Sequence, residues 1–108
     1  MTPQRMYLMG PSSTRIAALD VALTDDRYCG TICLDETPAY IKSLFDEFEE
    51  MVEAQVFSVA DEIEEKIAAI SLKVAFANGT EAYAEDLEVY PSTKRVSFKV
   101  RQPSLARR

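Results

Sequence analysis

The feature that most constrains the fold is a run of regularly spaced apolar residues between positions 38 and 70, followed by a change of spacing. Within residues 38–53 the apolar side chains recur every three or four positions, which places them on one face of an α-helix. After residue 70 the spacing changes to two, which is typical of β-strands with one buried face. The apolar positions of the first helix are Ile41, Leu44, Phe45, Phe48, Met51 and Val52.

The ends of this helical region are marked by local residues. Thr37 is a candidate N-cap, and Pro38 suits the first helical position, where no N–H is needed. The apolar spacing continues to residue 70, as a single helix of about 50 Å would require, and such a helix would need a partner chain to cover it. Residues 58–61, SVAD, instead resemble a capping box. We favour two helices, over residues 38–53 and 59–69, with the single helix as the alternative.

Alternating apolar and polar residues predict strands on both sides of the helices. RIAALDVAL and YCGTICL form a predicted hairpin through the turn TDDR. Three more strands follow the helices, with turns at Asn78-Gly79 and at YPSTK, and the last strand is RVSFKVR. The predicted fold class is α+β: a single antiparallel sheet of four to five strands in the order β-β-α-α-β-β-β, with one or two amphipathic helices packed on one face.

The length of the chain and the distribution of its apolar residues suit one domain over residues 1–108. Residues 1–14 are rich in Pro, Gly, Ser and Thr, so we expect an irregular lead-in there and a frayed tail at 102–108. No apolar run approaches the ~18 residues of a membrane span. The N-terminus also lacks the continuous apolar core of a signal peptide. We therefore expect a cytoplasmic protein that makes no membrane contact.

The residue types present argue against catalysis. The chain contains no histidine, which removes the commonest general base and the commonest transition-metal ligand. It also has no Walker A or dinucleotide-binding fingerprint. Cys29 and Cys33, four positions apart, are too far separated along one strand to form a disulfide, and we expect both thiols to be buried. The sequence thus predicts a protein that is not an enzyme and binds no cofactor.

The charge of the chain is strongly uneven. Net charge is −6, but residues 35–66 carry eleven acidic residues against Lys42 and Lys66, whereas residues 67–108 carry a net +3. The acidic balance argues against nucleic-acid binding, which needs a basic surface. Nine of the carboxylates lie within residues 46–66. These residues have neither the loop of an EF-hand nor the Glu-x-x-His pairs of a di-iron site, so no metal site is predicted.

The acidic run has two further interpretations. A row of carboxylates on one helix face can attract a basic protein partner, and the candidate residues are Asp46, Glu49, Glu50 and Glu53. Alternatively, the acids only keep the surface soluble. In the first case the protein is a non-catalytic interaction or accessory domain. On the helical wheel every acid of the first helix points away from the apolar face, which both interpretations require.

Two other modes of interaction remain open. The final strand is a candidate edge of the sheet, and pairing of this edge with a second copy would give a homodimer. The basic end of one chain would then meet the acidic helix of its mate. The alternative function is a small-molecule-binding α+β domain with a pocket between sheet and helices. Five tyrosines are candidates for polar contacts in that pocket: Tyr7, Tyr28, Tyr40, Tyr83 and Tyr90.

Overall fold

The computed structural model describes residues 2–101, which form six strands and two α-helices. In chain order these are β1 (Gln4–Met9), β2 (Arg15–Thr24), β3 (Arg27–Cys33), α1 (Ala39–Glu53), α2 (Phe57–Ala69), β4 (Lys73–Ala75), β5 (Glu81–Tyr90) and β6 (Arg95–Arg101). A short 3₁₀ turn, Pro11–Ser13, joins β1 to β2. The predicted hairpins are confirmed: β2 pairs with β3, β4 with β5, and β5 with β6.

The strands close into a six-stranded antiparallel barrel in the order β1-β2-β3-β6-β5-β4. The prediction of an open sheet of four to five strands with helices on one face is therefore wrong. The strand that closes the sheet is β1, which lies within the expected irregular lead-in. It pairs with β2 on one side, as Met6 opposite Leu19, and with β4 on the other, as Leu8 opposite Val74.

Local irregularities let the sheet curve enough to close. In β2, Ile16 is an extra residue between two pairings with β1, and it is buried together with its neighbour Ala17. In β5, Asp86 and Leu87 together oppose a single residue of β6, and Asp86 has a φ of 50°. Such bulges bend a strand and increase its twist. The β5 bulge also changes which residues face inward, from Ala82 before it to Leu87 after it.

Gly30 marks another point of strong curvature, where β3 passes very close to β2. A Cβ atom on Gly30 would lie 2.0 Å from the carbonyl oxygen of Asp20 and 2.8 Å from the Cα of Val21. No side chain fits in that space, because real Cβ contacts do not approach so closely. The sequence pattern places Gly30 on a strand, and the structure shows that the strand path itself requires glycine.

The prediction of two helices is confirmed, but the device that separates them differs from the one expected. Gln55, two positions after the last residue of α1, adopts a left-handed conformation with a φ of 63°. The N–H of Gln55 donates to the carbonyl of Val52, and the N–H of Val56 donates to that of Met51. These two hydrogen bonds define a Schellman motif, which ends a helix by satisfying its last carbonyls. Glutamine therefore stands where glycine is usual.

Neither predicted N-cap is formed. Residue Pro38 itself precedes α1, and the hydroxyl of Thr37 donates instead to the carbonyl oxygen of Ile16 at 2.7 Å. That contact ties the loop before α1 to the bulge in β2. The second helix begins at Phe57 rather than after Ser58, so the expected capping box is absent. In both places the tertiary path of the chain outweighs a local preference that contributes only about 1 kcal/mol.

The helices and the barrel share one apolar core. The inner faces of α1 and α2 contribute buried side chains such as Phe45 and Ile63, which join Met6, Leu8 and Phe98 of the barrel. Both helices pack against β5. Within residues 2–101, no helix has the length and apolar character needed to cross a membrane. The tail at 102–108 lies outside the described residues.

Two smaller expectations are also corrected. Strand β6 is not an edge, because β3 and β5 flank it on either side. Edge pairing of this strand with a second copy is therefore excluded as a route to a homodimer. The thiols of Cys29 and Cys33 are free as expected, but Cys33 is exposed and only Cys29 is partly buried.

Candidate functional site on the helical hairpin

The helical hairpin, formed by α1 and α2, carries most of the acidic residues on its outer surface. The apolar stripe of each helix faces the core, so the remaining circumference holds the charged side chains. The exposed acids of residues 46–66 are Asp46, Glu47, Glu50, Glu53, Asp61, Glu62 and Glu65. We call this set the acidic surface. It contains three of the four residues proposed from the sequence as partner-binding.

The fourth, Glu49, does not belong to this surface. Its side chain is only 8% exposed, so the expectation that every acid of α1 points to solvent is wrong at this position. One carboxylate oxygen accepts a hydrogen bond from the N–H of Ser92 at 3.1 Å, and the other accepts one from the Ser92 hydroxyl at 2.5 Å. Glu49 therefore fastens α1 to the turn between β5 and β6. A carboxylate satisfied in this way is structural rather than available to a partner.

The acidic surface has few cations of its own. Within residues 2–101 its only ion pair joins Asp46 to Lys42, one helical turn away, at 3.5 Å. The bases of the barrel are mostly engaged elsewhere: Arg5 with Asp20, Lys99 with Asp26, and Arg101 with Glu85. The charge asymmetry of the sequence is therefore preserved in three dimensions. Within the described residues, six of the seven acids of this surface have no ion pair, whereas four of the seven strand cations do: Arg5, Arg27, Lys99 and Arg101.

An apolar tip interrupts the acidic surface where the two helices meet. Val56, Phe57 and Val59 expose 38%, 58% and 36% of their surfaces. In a continuous helix Val56 and Val59 would have stayed on the apolar face, and the turn at Gln55 takes them off it. Phe57 would lie among the acids on either path. Every residue from position 53 to 59 is exposed. The tip is thus a short apolar segment with acids before it and after it.

A groove of about 650 Å³ lies between α2 and β5. The helix contributes Asp61, Glu64 and Ala68 to its lining, and the barrel contributes Tyr83 and Arg101. Tyr83 lies between two cations, with Lys73 5.1 Å and Arg101 5.0 Å from its ring centre. Tyr28, by contrast, stacks on Phe98 in the core. Of the five candidate tyrosines, Tyr83 alone is placed in this groove.

The acids beside the groove affect one another. Burial raises the pKa of Glu64 above its usual value, and the negative charges of Glu88, Asp86 and Asp61 raise it further, while Arg27 opposes the shift. Burial likewise raises the pKa of Tyr90, with Glu88 as the next cause. Arg27 donates to the backbone carbonyl of Asp86 at 2.9 Å, which fixes the β5 bulge. The groove wall is therefore negative and partly shielded from water.

The acids do not converge on a point where a cation would be held. Among the residues from 2 to 101, no three His, Cys, Asp or Glu side chains are grouped closely enough to hold a metal ion. Comparison with protein-family models, with curated proteins and with solved structures found no match to this chain. The interpretation of the site therefore depends on its own geometry and charge.

Sequence reasoning found the acidic surface but missed the apolar tip and the role of Glu49. The tip was partly visible, because Phe57 falls among the acids on a continuous helical wheel. The contact between Glu49 and Ser92 joins residues 43 positions apart, and no local pattern indicates it. To predict the groove, one would also have to know which strand α2 packs against, and no local pattern indicates that strand.

Proposed function

We propose that this protein is a non-catalytic interaction domain that binds a basic protein partner through the acidic surface of its helical hairpin. The observation that carries the proposal is the imbalance of ion pairing. Six of the seven exposed acids of residues 46–66 have no ion-pair partner within the described residues, whereas barrel cations such as Arg5 and Arg101 are paired. Unmatched charge of one sign on one face steers oppositely charged partners and accelerates association.

A charge-neutralising variant with a matched control tests the proposal. The test variant is D46N/E50Q/E53Q, which leaves the structural Glu49 intact. The control D25N/D35N/E36Q removes three exposed acids outside the helices and changes the net charge equally. Partners captured from the native host by the wild type and by the control should be lost from the test variant. Capture of the same partners by all three proteins would contradict the proposal.

Self-association is a further part of the proposal and is tested separately. Since β6 is not free to pair, a dimer would have to place basic residues of one copy against the acidic surface of the other, as the uneven charge of the chain suggests. Light scattering should then give about twice the chain mass of 12.1 kDa at low salt. A mass of one chain at both low and high salt would contradict self-association and leave the binding of a basic partner untouched.

The groove between α2 and β5 favours a second candidate function, the binding of a small molecule. Its volume of about 650 Å³ lies within the usual range of roughly 300–1,000 Å³ for ligand sites. A ligand found in a thermal-shift screen should lose its stabilising effect in Ala68→Trp, which fills the groove. The neighbouring Ala69→Trp is the control, since residue 69 is exposed but does not line the groove. Equal stabilisation of both variants would place the ligand elsewhere.

A further inference from the structure

We infer that the apolar tip anchors a basic, amphipathic segment of a partner protein on the acidic surface. This inference rests on the proposed function and adds an apolar contact to it. The tip consists of Val56, Phe57 and Val59, and Phe57 is the most exposed of the three at 58%. Aromatic side chains that become buried on binding often contribute most of the affinity of an interface.

The local backbone explains why the tip is exposed. Val56 immediately follows the left-handed Gln55 and donates its N–H to Met51, so the chain changes direction at that residue. Val59 lies three positions later in the first turn of α2, which places it on the same side as Val56. In a continuous helix, Val56 and Val59 would have continued the apolar face and packed into the core. The Schellman motif places these two side chains on the surface instead.

The surroundings of the tip define the chemistry of its partner. Exposed carboxylates lie on both sides: Glu50 and Glu53 in the last turns of α1, and Asp61 and Glu62 on α2. Asp61 is four positions after Phe57, so the two side chains are neighbours on the helix surface. A complementary segment must therefore present an apolar side chain flanked by Lys or Arg. A segment with positive charge alone would satisfy the carboxylates but leave Phe57 in water.

A second copy of the chain fits this surface less well than a basic partner. Twofold contacts use the same patch on both molecules. Two tips in such a contact would bring identical carboxylates, including Glu53 and Asp61, close to one another. Opposed like charges cost several kcal/mol in an interface. Charge complementarity therefore favours a basic segment of a different protein.

Two synthetic peptides with equal numbers of lysines serve as probes. One carries leucines every three or four positions between its lysines, and the other carries serines in their place. Fluorescence anisotropy should show that the wild type binds the leucine peptide about tenfold more tightly than the serine peptide. Phe57→Ser should remove that preference while keeping the weaker, salt-sensitive binding of both peptides. The control is Tyr40→Ser, an aromatic 60% exposed at the other end of α1, which should keep the preference.

The outcomes separate this inference from the proposed function. Equal binding of the two peptides by the wild type would overturn the apolar anchor and leave the acidic surface as the binding element. Failure of both peptides to bind at low salt would contradict the proposed function as well. Equal loss of preference in Phe57→Ser and Tyr40→Ser would show nonspecific adhesion and overturn the inference. A wild-type dimer that Phe57→Ser converts to a monomer would assign the tip to a second copy instead.

Discussion

The carboxylate of Glu49 accepts hydrogen bonds from both the backbone N–H and the hydroxyl of Ser92, at 3.1 and 2.5 Å. This contact joins the middle of α1 to the turn between β5 and β6. Glu49 belongs to the acidic run of the sequence, but in the structure it holds α1 against the barrel. Because the two residues are 43 positions apart, the contact also restricts how the helices can lie on the barrel.

Removing this tie should destabilise the fold. Since hydrogen bonds to charged groups contribute about 1.5–3 kcal/mol, we expect Glu49→Gln to lower the free energy of unfolding by about 1–2 kcal/mol. Urea denaturation measures the change, and Ser92→Ala combined with Glu49→Gln in a double-mutant cycle shows whether the two losses share one interaction. Glu50→Gln on the exposed side of α1 is the control. Equal effects of Glu49→Gln and Glu50→Gln would contradict a structural role for Glu49.

Gly30 should tolerate no side chain. In Gly30→Ala the new methyl group would meet the carbonyl of Asp20 at 2.0 Å, so the strands must separate. We expect the free energy of unfolding to fall by about 3 kcal/mol or more, at the upper end of overpacking effects. Gly79→Ala is the matched control, because Gly79 has a positive φ but no atom within 4 Å of the new methyl group. The free energy of unfolding of that variant should fall by only about 1–2 kcal/mol, which is the cost of placing alanine in a left-handed backbone conformation. If thermal unfolding showed similar decreases in the stability of the two variants, that result would contradict a steric cause at Gly30.

The turn between the helices should accept a stabilising substitution. Gln55 is held at a φ of 63°, which glycine adopts without steric cost. We expect Gln55→Gly to raise the free energy of unfolding by about 0.5–1 kcal/mol. Gln55→Ala keeps the strained backbone and should remain near the wild type. A decrease in melting temperature for Gln55→Gly would show that the glutamine side chain makes a contribution larger than this strain.

The groove should make stability depend on pH through Glu64. Its pKa in the folded protein is raised above the usual 4.5, first by burial and then by Glu88. The folded protein thus holds this proton more tightly than the unfolded chain, and its stability falls as the pH rises from 4.5 through the raised pKa. Glu64→Gln mimics the protonated form and should gain stability relative to the wild type over that window, with no gain below it.

Chemical denaturation at several values between pH 4 and pH 7 measures this difference. Glu62→Gln, on the exposed side of the same helix, is the control and should change stability little at any pH. A pH-independent difference between Glu64→Gln and the wild type would show that the effect comes from packing rather than from the charge of the carboxylate.

The elements with strong local periodicity were predicted well. The apolar spacing of α1, with Ile41, Phe45 and Phe48 buried, follows from the sequence because 3.6-residue periodicity is visible within one helix. The same holds for β6, where Val96 and Phe98 are buried at alternate positions. The turn at Asn78-Gly79 is another local feature, and its conformation depends on the residues of the turn itself.

Strand β1 was missed because its periodicity is hidden. Met6 and Leu8 face the core, but Tyr7 between them and Met9 after them are also apolar, so no alternation appears in the sequence. Pro3 and Gly10 on either side further suggest an irregular segment. Only the pairing of β1 with both β2 and β4 identifies it as a strand, and β4 is distant from it in sequence.

The sequence by itself determined the amphipathic helical region, the hairpins and the uneven charge, because each depends on residues close together in the chain. Only the tertiary structure decided that the sheet closes, that Glu49 is buried on Ser92, and that the turn at Gln55 exposes Val56 and Val59 beside Phe57. These features depend on which distant segments meet and on the path the backbone takes between them. Local spacing fixes which face of an element is apolar, but it does not fix what that face will cover.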